Sequence, residues 1–416
     1  MLISYSLKNF RSFKDEKVLN MVCTNSVVKK RYSDNYVSIN GADILKTAVI
    51  VGENAGGKTN LLISWLYLKD YVFSSTDKII VSSRNTCFFH KEKTPIEKNI
   101  SPDERRAQEF KIEILGSDNC FYNYIVNFDN FGIIEESLTK RTAYKSKGKN
   151  VFKVNRIEFE KNKKGFKIGY KINLSHKYDR LQSVFDNDSE IDKRGLFLNA
   201  FSLIGIQEAT VFLNWINENL TVSAERIPLD LCYMFRADVR LNDIVNILKK
   251  DEFLEIFKLV DSSITKIKVD ETKPFEDTMV YRLFDGEKVG IKISAESSGV
   301  KQFFALSYEV YRVIYQGKTM FADECDSFLN PILTGKLFNH INSFEKTGQF
   351  IITTHNITHL NFQYFMKEQM VVVTKDKETL ESDMYSLCAF KDLRYDSNQK
   401  IYDFYLKGLL GGVGNE

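Results

Sequence analysis

Length, composition and charge limit the class of protein before any motif is considered. A chain of 416 residues is longer than most single domains, which favours one large globular unit with an insertion, or two domains. Hydrophobic residues at 43% and charged residues at 27% exclude a disordered or collagen-like chain. Because the formal net charge is only +3, no overall excess of charge indicates a nucleic-acid or membrane partner.

Cysteine spacing and hydropathy indicate a reduced, aqueous environment. The six cysteines form no CxxC pair, which favours free thiols over a disulfide framework or a zinc site. The first residues alternate apolar and polar side chains, and no run of about 18 uncharged apolar residues occurs. The sequence therefore predicts a cytoplasmic protein without a membrane partner.

The first predicted elements lead into a glycine-rich turn. A strand is expected over residues 2–7, and a continuous apolar run ending at Val51 is typical of a strand buried on both faces. The turn Gly52-Glu-Asn-Ala-Gly-Gly-Lys58-Thr59 follows, and an apolar helix comes after it. A complete GxxxxGK[ST] set between a buried strand and a helix predicts a phosphate-binding loop.

The residue types of this turn suit a nucleoside triphosphate. Glycines such as Gly57 let backbone N–H groups close around a phosphate chain at a helix N-terminus. Lys58 would neutralise the β- and γ-phosphates, and the Thr59 hydroxyl would ligate Mg²⁺. Asn54 and Asn60 complete the predicted nucleotide-binding set of this segment. The alternative, a glycine-rich turn with a chance lysine, is disfavoured by the strand and helix on either side.

An antiparallel β-meander is predicted over residues 109–136, and a basic stretch follows it. Residues 139–171 carry twelve lysines or arginines against two glutamates, a local charge of +10. This stretch could follow a nucleic-acid backbone and stack bases on its interleaved rings, which are Tyr144, Phe152, Phe159, Phe166 and Tyr170. The alternative is a solvated hairpin whose lysines protect a sheet edge. The absence of a base-reading module slightly favours the hairpin.

The remaining chain divides into a helical insertion and a second set of strands. Residues 196–262 have helical apolar spacing and are predicted to form an inserted helical subdomain. It would separate two halves of one head, residues 1–195 and residues 263–416. In the second half, strands are predicted over residues 319–322 and 350–354. No internal repeat and no long heptad run is present.

Both of these predicted strands end in residues suited to phosphate chemistry. Asp323 and Glu324 follow the first strand, where one carboxylate can hold Mg²⁺ through its water shell and a second can polarise the attacking water. Asp323 is therefore assigned to the metal and Glu324 to the general base. The second strand leads to His355, 31 residues after Glu324, where an imidazole can hydrogen-bond the γ-phosphate or the attacking water.

A turn near residue 297 completes the pattern. The segment Ala295-Glu-Ser297-Ser-Gly299-Val lies shortly before a predicted helix and offers a hydroxyl, backbone N–H groups and a helix N-terminus to a phosphate. In this order, the motifs resemble those of the ABC-type ATPases of the SMC/RecF/OLD branch. The chain is similar in particular to the compact AAA family ATPases of abortive-infection and phage-defence operons.

The resemblance extends over most of the chain. Its further elements are Asn9-Phe-Arg11-Ser-Phe13, Asp323-Glu-Cys-Asp326 with Leu329-Asn-Pro331, Thr353-Thr-His-Asn356 and Tyr405-Leu-Lys-Gly408. The departures are SSG in place of an SGG signature, Asn330 where relatives often have histidine, and the GLLGGVG tail. The implied fold is an α/β, ABC-type P-loop ATPase head with an antiparallel accessory sheet and a helical insertion.

The resemblance also implies cofactors and partners. ATP and Mg²⁺ would be the cofactors, and Arg11 would approach the nucleotide. ATP would lie between the subunits of a homodimer or higher oligomer, with Ser297 and Gly299 of one subunit facing the P-loop of the other. Nucleotide-driven dimerisation would gate a separate effector, a toxin or nuclease, in anti-phage defence. For the glutamine of the Q-loop, Asn199 and Gln207 are weak candidates.

Two other functions compete with this hypothesis. A DNA-binding, RecF-like repair ATPase would use residues 139–171 as its DNA surface. A self-contained nuclease would need a further catalytic domain after His355, where only 61 residues remain. The sequence therefore favours a partner effector over an intrinsic nuclease.

Overall fold

A computed structural model describes most of the chain. It covers residues 1–23, 29–73, 107–129, 132–162, 165–187, 196–223, 240–390, 393 and 398–410. None of the helices within these ranges combines the length and apolar character needed to cross a membrane.

The strands and helices are numbered in chain order. The strands are β1 (Leu2–Lys8), β2 (Lys17–Asn20), β3 (Tyr36–Ile39), β4 (Ala42–Leu45), β5 (Thr47–Gly52), β6 (Gln108–Leu115), β7 (Phe121–Asp129), β8 (Gly132–Arg141), β9 (Lys149–Asn162), β10 (Gly165–Leu174), β11 (Leu220–Ser223), β12 (Ile264–Lys268), β13 (Met279–Phe284), β14 (Glu287–Lys292), β15 (Thr319–Asp323), β16 (Gln349–Thr354), β17 (Met370–Lys375) and β18 (Ser382–Ser386). The α-helices are α1 (Lys58–Phe73), α2 (Asp179–Asn187), α3 (Phe197–Leu203), α4 (Gln207–Asn214), α5 (Leu241–Leu248), α6 (Asp251–Phe257), α7 (Ser298–Gln316), α8 (Pro331–Asn342) and α9 (Asn398–Leu406). Shorter helical turns span Lys29–Asn35, His176–Tyr178, Trp215–Asn219, Ile293–Ala295, Ile357–His359, Lys367–Gln369 and Leu387–Ala389.

Seven strands form an antiparallel sheet in the order β10-β9-β8-β7-β6-β1-β2. The β-meander predicted over residues 109–136 corresponds to β6, β7 and the first half of β8, so that prediction is confirmed. Along β6, buried residues alternate with half-buried ones, which is the pattern of a sheet that packs one face on a core. Phe110 and Ile112 are among the side chains on that buried face.

A second sheet has six strands in the order β11-β15-β16-β5-β17-β18. All of its pairs are parallel except β17 with β18. Every residue of β5 and β16 is buried, as the apolar run before the P-loop predicts. Because the carboxyl ends of parallel strands meet at one edge of a sheet, Gly52, Asp323 and Thr354 lie along the same edge.

The parallel sheet is covered on both faces. Ala48 and Ile50 of β5 belong to the core cluster that contains α1 and the inner face of the antiparallel sheet. Val49 and Val51 belong to a second cluster, which contains α7 and α8. Successive side chains of a strand point to opposite faces, so β5 lies between two apolar layers. This packing holds the P-loop at the end of β5.

The segment predicted as one helical subdomain, residues 196–262, is divided in the structure. Helices α3 and α4 pack on the antiparallel sheet, where the ring of Phe201 lies 4.7 Å from that of Phe152. Helices α5 and α6 pack on α7 instead, with Phe257 5.0 Å from Phe304. Between them, β11 pairs with β15 and becomes an edge of the parallel sheet. Four residues are too few to show strand periodicity in the sequence, and β15 supplies the hydrogen bonds that make them a strand.

The basic stretch 139–171 forms the outer hairpin of the antiparallel sheet, with β10 at its edge. Four of its cations form ion pairs with acids of other strands or of a turn: Lys140 with Asp118, Arg141 with Glu113, Lys153 with Glu135, and Arg156 with Asp129. The rings of Phe152 and Tyr170 pack against α3 and do not face solvent as base-stacking platforms. The side chains of residues 158–168, with Phe159 and Phe166, lie outside the described part of the chain. These contacts favour the hairpin interpretation.

Candidate functional site

The P-loop, residues 52–59, has a backbone that requires glycine. Gly57 has a φ of +122°, and a Cβ atom there would lie 2.5 Å from the Ser382 hydroxyl. A Cβ atom at Gly52 would lie only 2.0 Å from the carbonyl oxygen of Val373 on β17. Ser382 also donates a hydrogen bond to the carbonyl of Gly56 over 2.5 Å. The loop is therefore held tightly against β17 and β18, with the N-terminus of α1 directly behind it.

Lys58 is buried at the first position of α1. Its ammonium group donates to the carbonyl oxygens of Gly52, at 2.9 Å, and Glu53, at 3.0 Å. The Nδ1 atom of His355 lies 3.1 Å from the same ammonium. The lysine is thus folded back over its own loop, where it faces the end of β16.

Thr59 and Asp323 meet although 264 residues separate them in the chain. The Thr59 hydroxyl donates to Oδ2 of Asp323 over 2.9 Å. The Thr353 hydroxyl donates to the other carboxylate oxygen of Asp323. Burial raises the pKa of Asp323, and the hydrogen bonds from the two threonines oppose that effect. A hydroxyl and a carboxylate oxygen at this spacing are hard oxygen donors, so the residue set fits Mg²⁺.

Nε2 of His355 contacts Oε1 of Glu324. Glu324 has a φ of +46°, a conformation that is uncommon outside glycine. Its backbone N–H donates to the carbonyl of Thr353 over 2.9 Å, which fixes this strained turn. His355 therefore lies between the Lys58 ammonium on one side and the Glu324 carboxylate on the other. The structure brings together the predicted lysine, general base and switch histidine.

The predicted nucleotide-binding residues Arg11 and Asn60 lie beside this group. Arg11 has a φ of +50° and donates to the side-chain oxygen of Asn60 over 3.3 Å. The Asn60 amide in turn donates to the Ser12 hydroxyl over 2.8 Å. The Ser12 carbonyl accepts from the N–H of Ser382 over 2.7 Å, which ties residues 11–12 to the P-loop and to β18. Asn54 is exposed at the tip of the loop.

The predicted signature residues Ser297 and Gly299 occupy the N-terminus of α7. The Ser297 hydroxyl accepts from the N–H of Val300 over 3.4 Å, as an N-cap does. A Cβ atom at Gly299 would lie 3.0 Å from the carbonyl oxygen of Phe328, so this turn packs on the loop after Glu324. Within the described chain, no hydrogen bond or ion pair joins residues 296–300 to the P-loop.

Neither candidate for the Q-loop lies at the site. The side chain of Asn199 donates over 2.7 Å to the carbonyl of Val72, near the C-terminal end of α1. Val72 is the thirteenth residue after Thr59 on α1, a distance of about 20 Å along the helix. Gln207 is exposed at the start of α4. Asn199 therefore contributes to packing against α1, and Gln207 lies at the surface.

Several contacts within the site are not predicted from the sequence. Thr353 and Thr354 each hold an aspartate of the neighbouring strand end, Asp323 and Asp326 respectively. His359 contacts Asp326 over 2.9 Å, and both side chains are buried. The sequence signals for these contacts are the Thr353-Thr354 pair before His355 and the acid Asp326 after Glu324. Ser382 carries no such signal, since only the sheet order brings it to Gly56.

Comparisons with known proteins extend this geometry to a family. Residues 48–361 match the family described as "AAA domain, putative AbiEii toxin, Type IV TA system". No curated protein matches the chain.

Solved structures that resemble the chain include three SMC heads. An SMC head bound to the C-winged helix domain of ScpA is 14% identical, with a TM-score of 0.48 over 97% of this chain and 99% of that one. The Smc head with an extended coiled coil, bound to the C-terminal domain of ScpA derived from Pyrococcus furiosus, is 13% identical, with a TM-score of 0.45 over 97% and 99%. The SMC head domain from Thermotoga maritima is 15% identical, with a TM-score of 0.39 over 92% and 98%.

The family match spans the P-loop, both acids after β15 and the histidine after β16, which the structure brings to one edge of a parallel sheet. The chain therefore belongs to this family of AAA-domain ATPases, with the α/β, ABC-type head fold that its sequence predicts.

Proposed function

We propose that this protein hydrolyses ATP with Mg²⁺, and that ATP-driven homodimerisation controls a separate effector protein in defence against phage. The observation that carries the proposal is the line of contacts from Lys58 through His355 to Glu324. In this proposal, the three contacting residues serve as the cation for the phosphates, the hydrogen-bonding imidazole and the carboxylate base. Phosphoryl transfer needs positioning and charge stabilisation of this kind.

Each residue of the group has a distinct task in this mechanism. Thr59 and Asp323 would hold Mg²⁺, which when bound neutralises phosphate charge and acts as a Lewis acid. Lys58 would turn from the loop carbonyls to the β- and γ-phosphates. Glu324 would orient the attacking water and accept its proton, while His355 would hydrogen-bond the γ-phosphate.

The surface around the signature turn supports a second copy of the chain as the partner. Ser297 is exposed there, as are two apolar side chains that follow the catalytic acids: Phe328 is 58% and Ile332 is 69% exposed. Apolar side chains beside a phosphate-binding turn suit a face that a partner covers when nucleotide is present. A signature that does not contact its own P-loop suits an ATP site shared between subunits.

The effector and the defence role rest on the family. Its description refers to a putative toxin and a type IV toxin–antitoxin system, which supports a partner protein as the target of the ATPase. The RecF-like alternative is weaker, because four cations of the basic hairpin are neutralised by neighbouring acids and two of its rings are packed against α3.

The decisive experiment measures the solution mass of Glu324→Gln with and without Mg-ATP. We expect the variant to bind ATP, to hydrolyse it at least about a hundredfold more slowly, and to accumulate as a dimer. Adding Ser297→Arg should block dimerisation but leave ATP bound, because the arginine would occupy the exposed turn.

Ser33→Arg is the matched control, since Ser33 is also exposed but lies in the turn before β3. The Glu324→Gln/Ser33→Arg protein should dimerise normally. Wild-type hydrolysis by Glu324→Gln would remove the base assignment, and equal dimerisation with Ser297→Arg would remove the shared ATP site.

A further inference from the structure

The three-stranded sheet β12-β13-β14 carries a surface that the ATPase mechanism does not use. Its register defines the two faces, because residues directly opposite each other in an antiparallel pair point the same way. Val280 lies opposite Ile267 and Ile291, whereas Tyr281 lies opposite Lys266 and Gly290. Val280 is fully buried in the core with α7, so its face is the inner one. The face of Tyr281 is the outer one.

The outer face has lysines on both sides of a less polar row. The outer-face residues of β12 are Lys266 and Lys268, those of β14 are Lys288, Gly290 and Lys292, and those of β13 are Met279, Tyr281 and Leu283. All four lysines are exposed, and Leu283 is 54% exposed. We call these eight residues the lysine strip.

The charge of the lysine strip is of one sign. No acid occupies an outer-face position on these strands, since Glu287 of β14 lies opposite Phe284 on the inner face. Lys292 pairs with Asp277 over 2.8 Å. Within the described chain, Lys266, Lys268 and Lys288 have no acidic side chain within ion-pair distance. Three uncompensated cations on so small a surface attract a polyanion.

Gly290 leaves room for the ring of Tyr281 at the centre of the lysine strip. A Cβ atom at Gly290 would lie 2.8 Å from Cε1 of Tyr281 and 3.1 Å from the Met279 methyl group. The tyrosine ring therefore leans across the backbone of β14 in the space that a side chain would fill. Tyr281 and Leu283 form an apolar surface on which a planar base can stack.

The spacing of the cations suits one strand rather than a duplex. Side chains on one face of a strand repeat about every 6.6 Å, and the two lysine rows lie about 10 Å apart, on either side of β13. A single strand can place its phosphates along a lysine row and its bases on the row between. A duplex would present only its phosphates, and Tyr281 and Leu283 would then have no role.

We infer that the lysine strip binds single-stranded nucleic acid. The lysines contact the phosphates, and Tyr281 stacks on a base. This assigns nucleic-acid contact to a surface other than the basic hairpin of residues 139–171, where four cations are paired with acids. The inference does not depend on the proposed ATP-driven dimerisation.

The test measures binding of fluorescein-labelled oligo-dT and oligo-U, each of about 20 nucleotides, to the full chain by fluorescence anisotropy. We expect the triple variant Lys266→Glu/Lys268→Glu/Lys288→Glu to bind at least about tenfold more weakly. Each lost phosphate contact should also reduce the slope of log affinity against log salt by about 0.7. Comparison of the two oligonucleotides shows whether DNA or RNA is the preferred strand.

Matched variants separate the lysine strip from general basicity. Lys145→Glu/Lys147→Glu/Lys149→Glu makes the same change of charge at three exposed lysines of the basic hairpin and should weaken binding much less than the strip variant does. Tyr281→Ala should weaken binding about tenfold and Tyr281→Phe should not, because stacking needs the ring and not the hydroxyl. Unchanged thermal unfolding and ATP hydrolysis would show that the strip variants are folded.

Three results would overturn the inference. The first is wild-type affinity in the strip variant, and the second is an equal loss in the hairpin variant. The third is a Tyr281→Ala protein that binds both oligonucleotides normally, since the lysines would then attract any polyanion without holding a strand.

Discussion

Buried charged groups have different surroundings in two regions of this molecule, the antiparallel sheet and the edge of the parallel sheet. In the antiparallel sheet, each is enclosed by its own partners: Glu136 accepts from two backbone N–H groups of α3 and from the Tyr124 hydroxyl, and Arg156 donates to both oxygens of Asp129. At the edge of the parallel sheet, His355 contacts both Lys58 and Glu324, and this central imidazole is partly exposed. The His355 side chain is 35% exposed, compared with 7% for Arg156.

We infer from this difference that the enclosed charges of the antiparallel sheet stabilise the fold, whereas the charges at the edge of the parallel sheet can bind a ligand. A fully partnered buried charge contributes only when every partner is present, so its removal costs stability. A charge at an open edge instead has capacity left for phosphate, metal or water. Substitutions in the two regions should therefore have opposite signatures, one in unfolding and the other in ATP binding.

The largest expected effect comes from a comparison of two buried lysines, Lys58 and Lys46, which lie at opposite ends of β5. Lys58→Ala should abolish measurable ATP binding, a loss of more than about a hundredfold, because the phosphates lose their buried cation. Lys46 also donates to two carbonyl oxygens, those of Asn342 at 2.9 Å and Phe344 at 2.7 Å, and burial lowers its pKa. Lys46→Met should lower stability but keep ATP binding. Calorimetric titration and thermal unfolding of both variants test the contrast, which fails if Lys46→Met also loses ATP.

Arg156→Met should have the next largest effect. It leaves the Asp129 carboxylate buried without its cation, which costs about 3–5 kcal/mol of folding free energy. Urea unfolding measures this loss, and the ATP affinity of the folded fraction should not change. The double variant Arg156→Met/Asp129→Leu should recover part of the stability, because it removes the stranded charge. A fall in ATP affinity would place Arg156 in the nucleotide site and break the comparison.

Glu136 should give the antiparallel sheet a pH dependence. Burial raises the pKa of Glu136 to about 7, against the opposing effect of the N–H groups of Phe197 and Leu198. The folded state then holds this proton more tightly than the unfolded chain, whose carboxyl has an ordinary pKa. Its contribution to stability is present at low pH and is lost as the pH rises toward 7.

Glu136→Gln should remove that part of the pH dependence and cost about 1–2 kcal/mol, since the amide has one acceptor oxygen where the carboxylate has two. Urea unfolding of both proteins at about pH 5.5 and about pH 7.5 provides the test. If the free energy of unfolding changed equally with pH in the two proteins, Glu136 would not titrate in this range.

The chemistry of the ATP site was predictable because its motifs end strands. The P-loop, Asp323, Glu324 and His355 each follow an apolar run, and the parallel sheet then brings strand ends to one edge. The contacts that orient them were not predictable. Ser382 reaches Gly56 only because β18 lies next to β17, and nothing in its sequence neighbourhood indicates that sheet order.

Charge and helix patterns were less informative where tertiary contacts decide the outcome. The +10 of residues 139–171 suggests a free basic surface, yet the folded chain brings acids within ion-pair distance of Lys140, Lys153 and Arg156. Local sequence cannot show this, because the acids lie on other strands or in a turn. In the same way, β11 is a strand only through its pairing with β15, so its four residues were assigned to the helical insertion.

The buried pair of Asp326 and His359 lies next to the ATP site, and its substitution should have the smallest effect. The Asp326 carboxylate accepts from the Thr354 hydroxyl at 2.7 Å and contacts His359 at 2.9 Å, so it holds the chain on both sides of His355. The N–H of Asn356 donates to the same threonine hydroxyl over 2.9 Å. Because the imidazole of His355 must meet Glu324 and Lys58 together, a small shift of this loop should slow the chemical step.

We therefore expect His359→Gln to lower kcat for ATP hydrolysis about tenfold, or about 1.4 kcal/mol, while ATP affinity stays the same. Steady-state hydrolysis and a separate ATP titration measure the two quantities. His340→Gln is the control, since His340 is half-buried on α8 and contacts Phe344 rather than the loop of His355. If affinity and kcat fell together, the Asp326–His359 pair would belong with the charges that hold the fold. If kcat alone fell, the pair would act by orienting His355 toward Glu324 and Lys58.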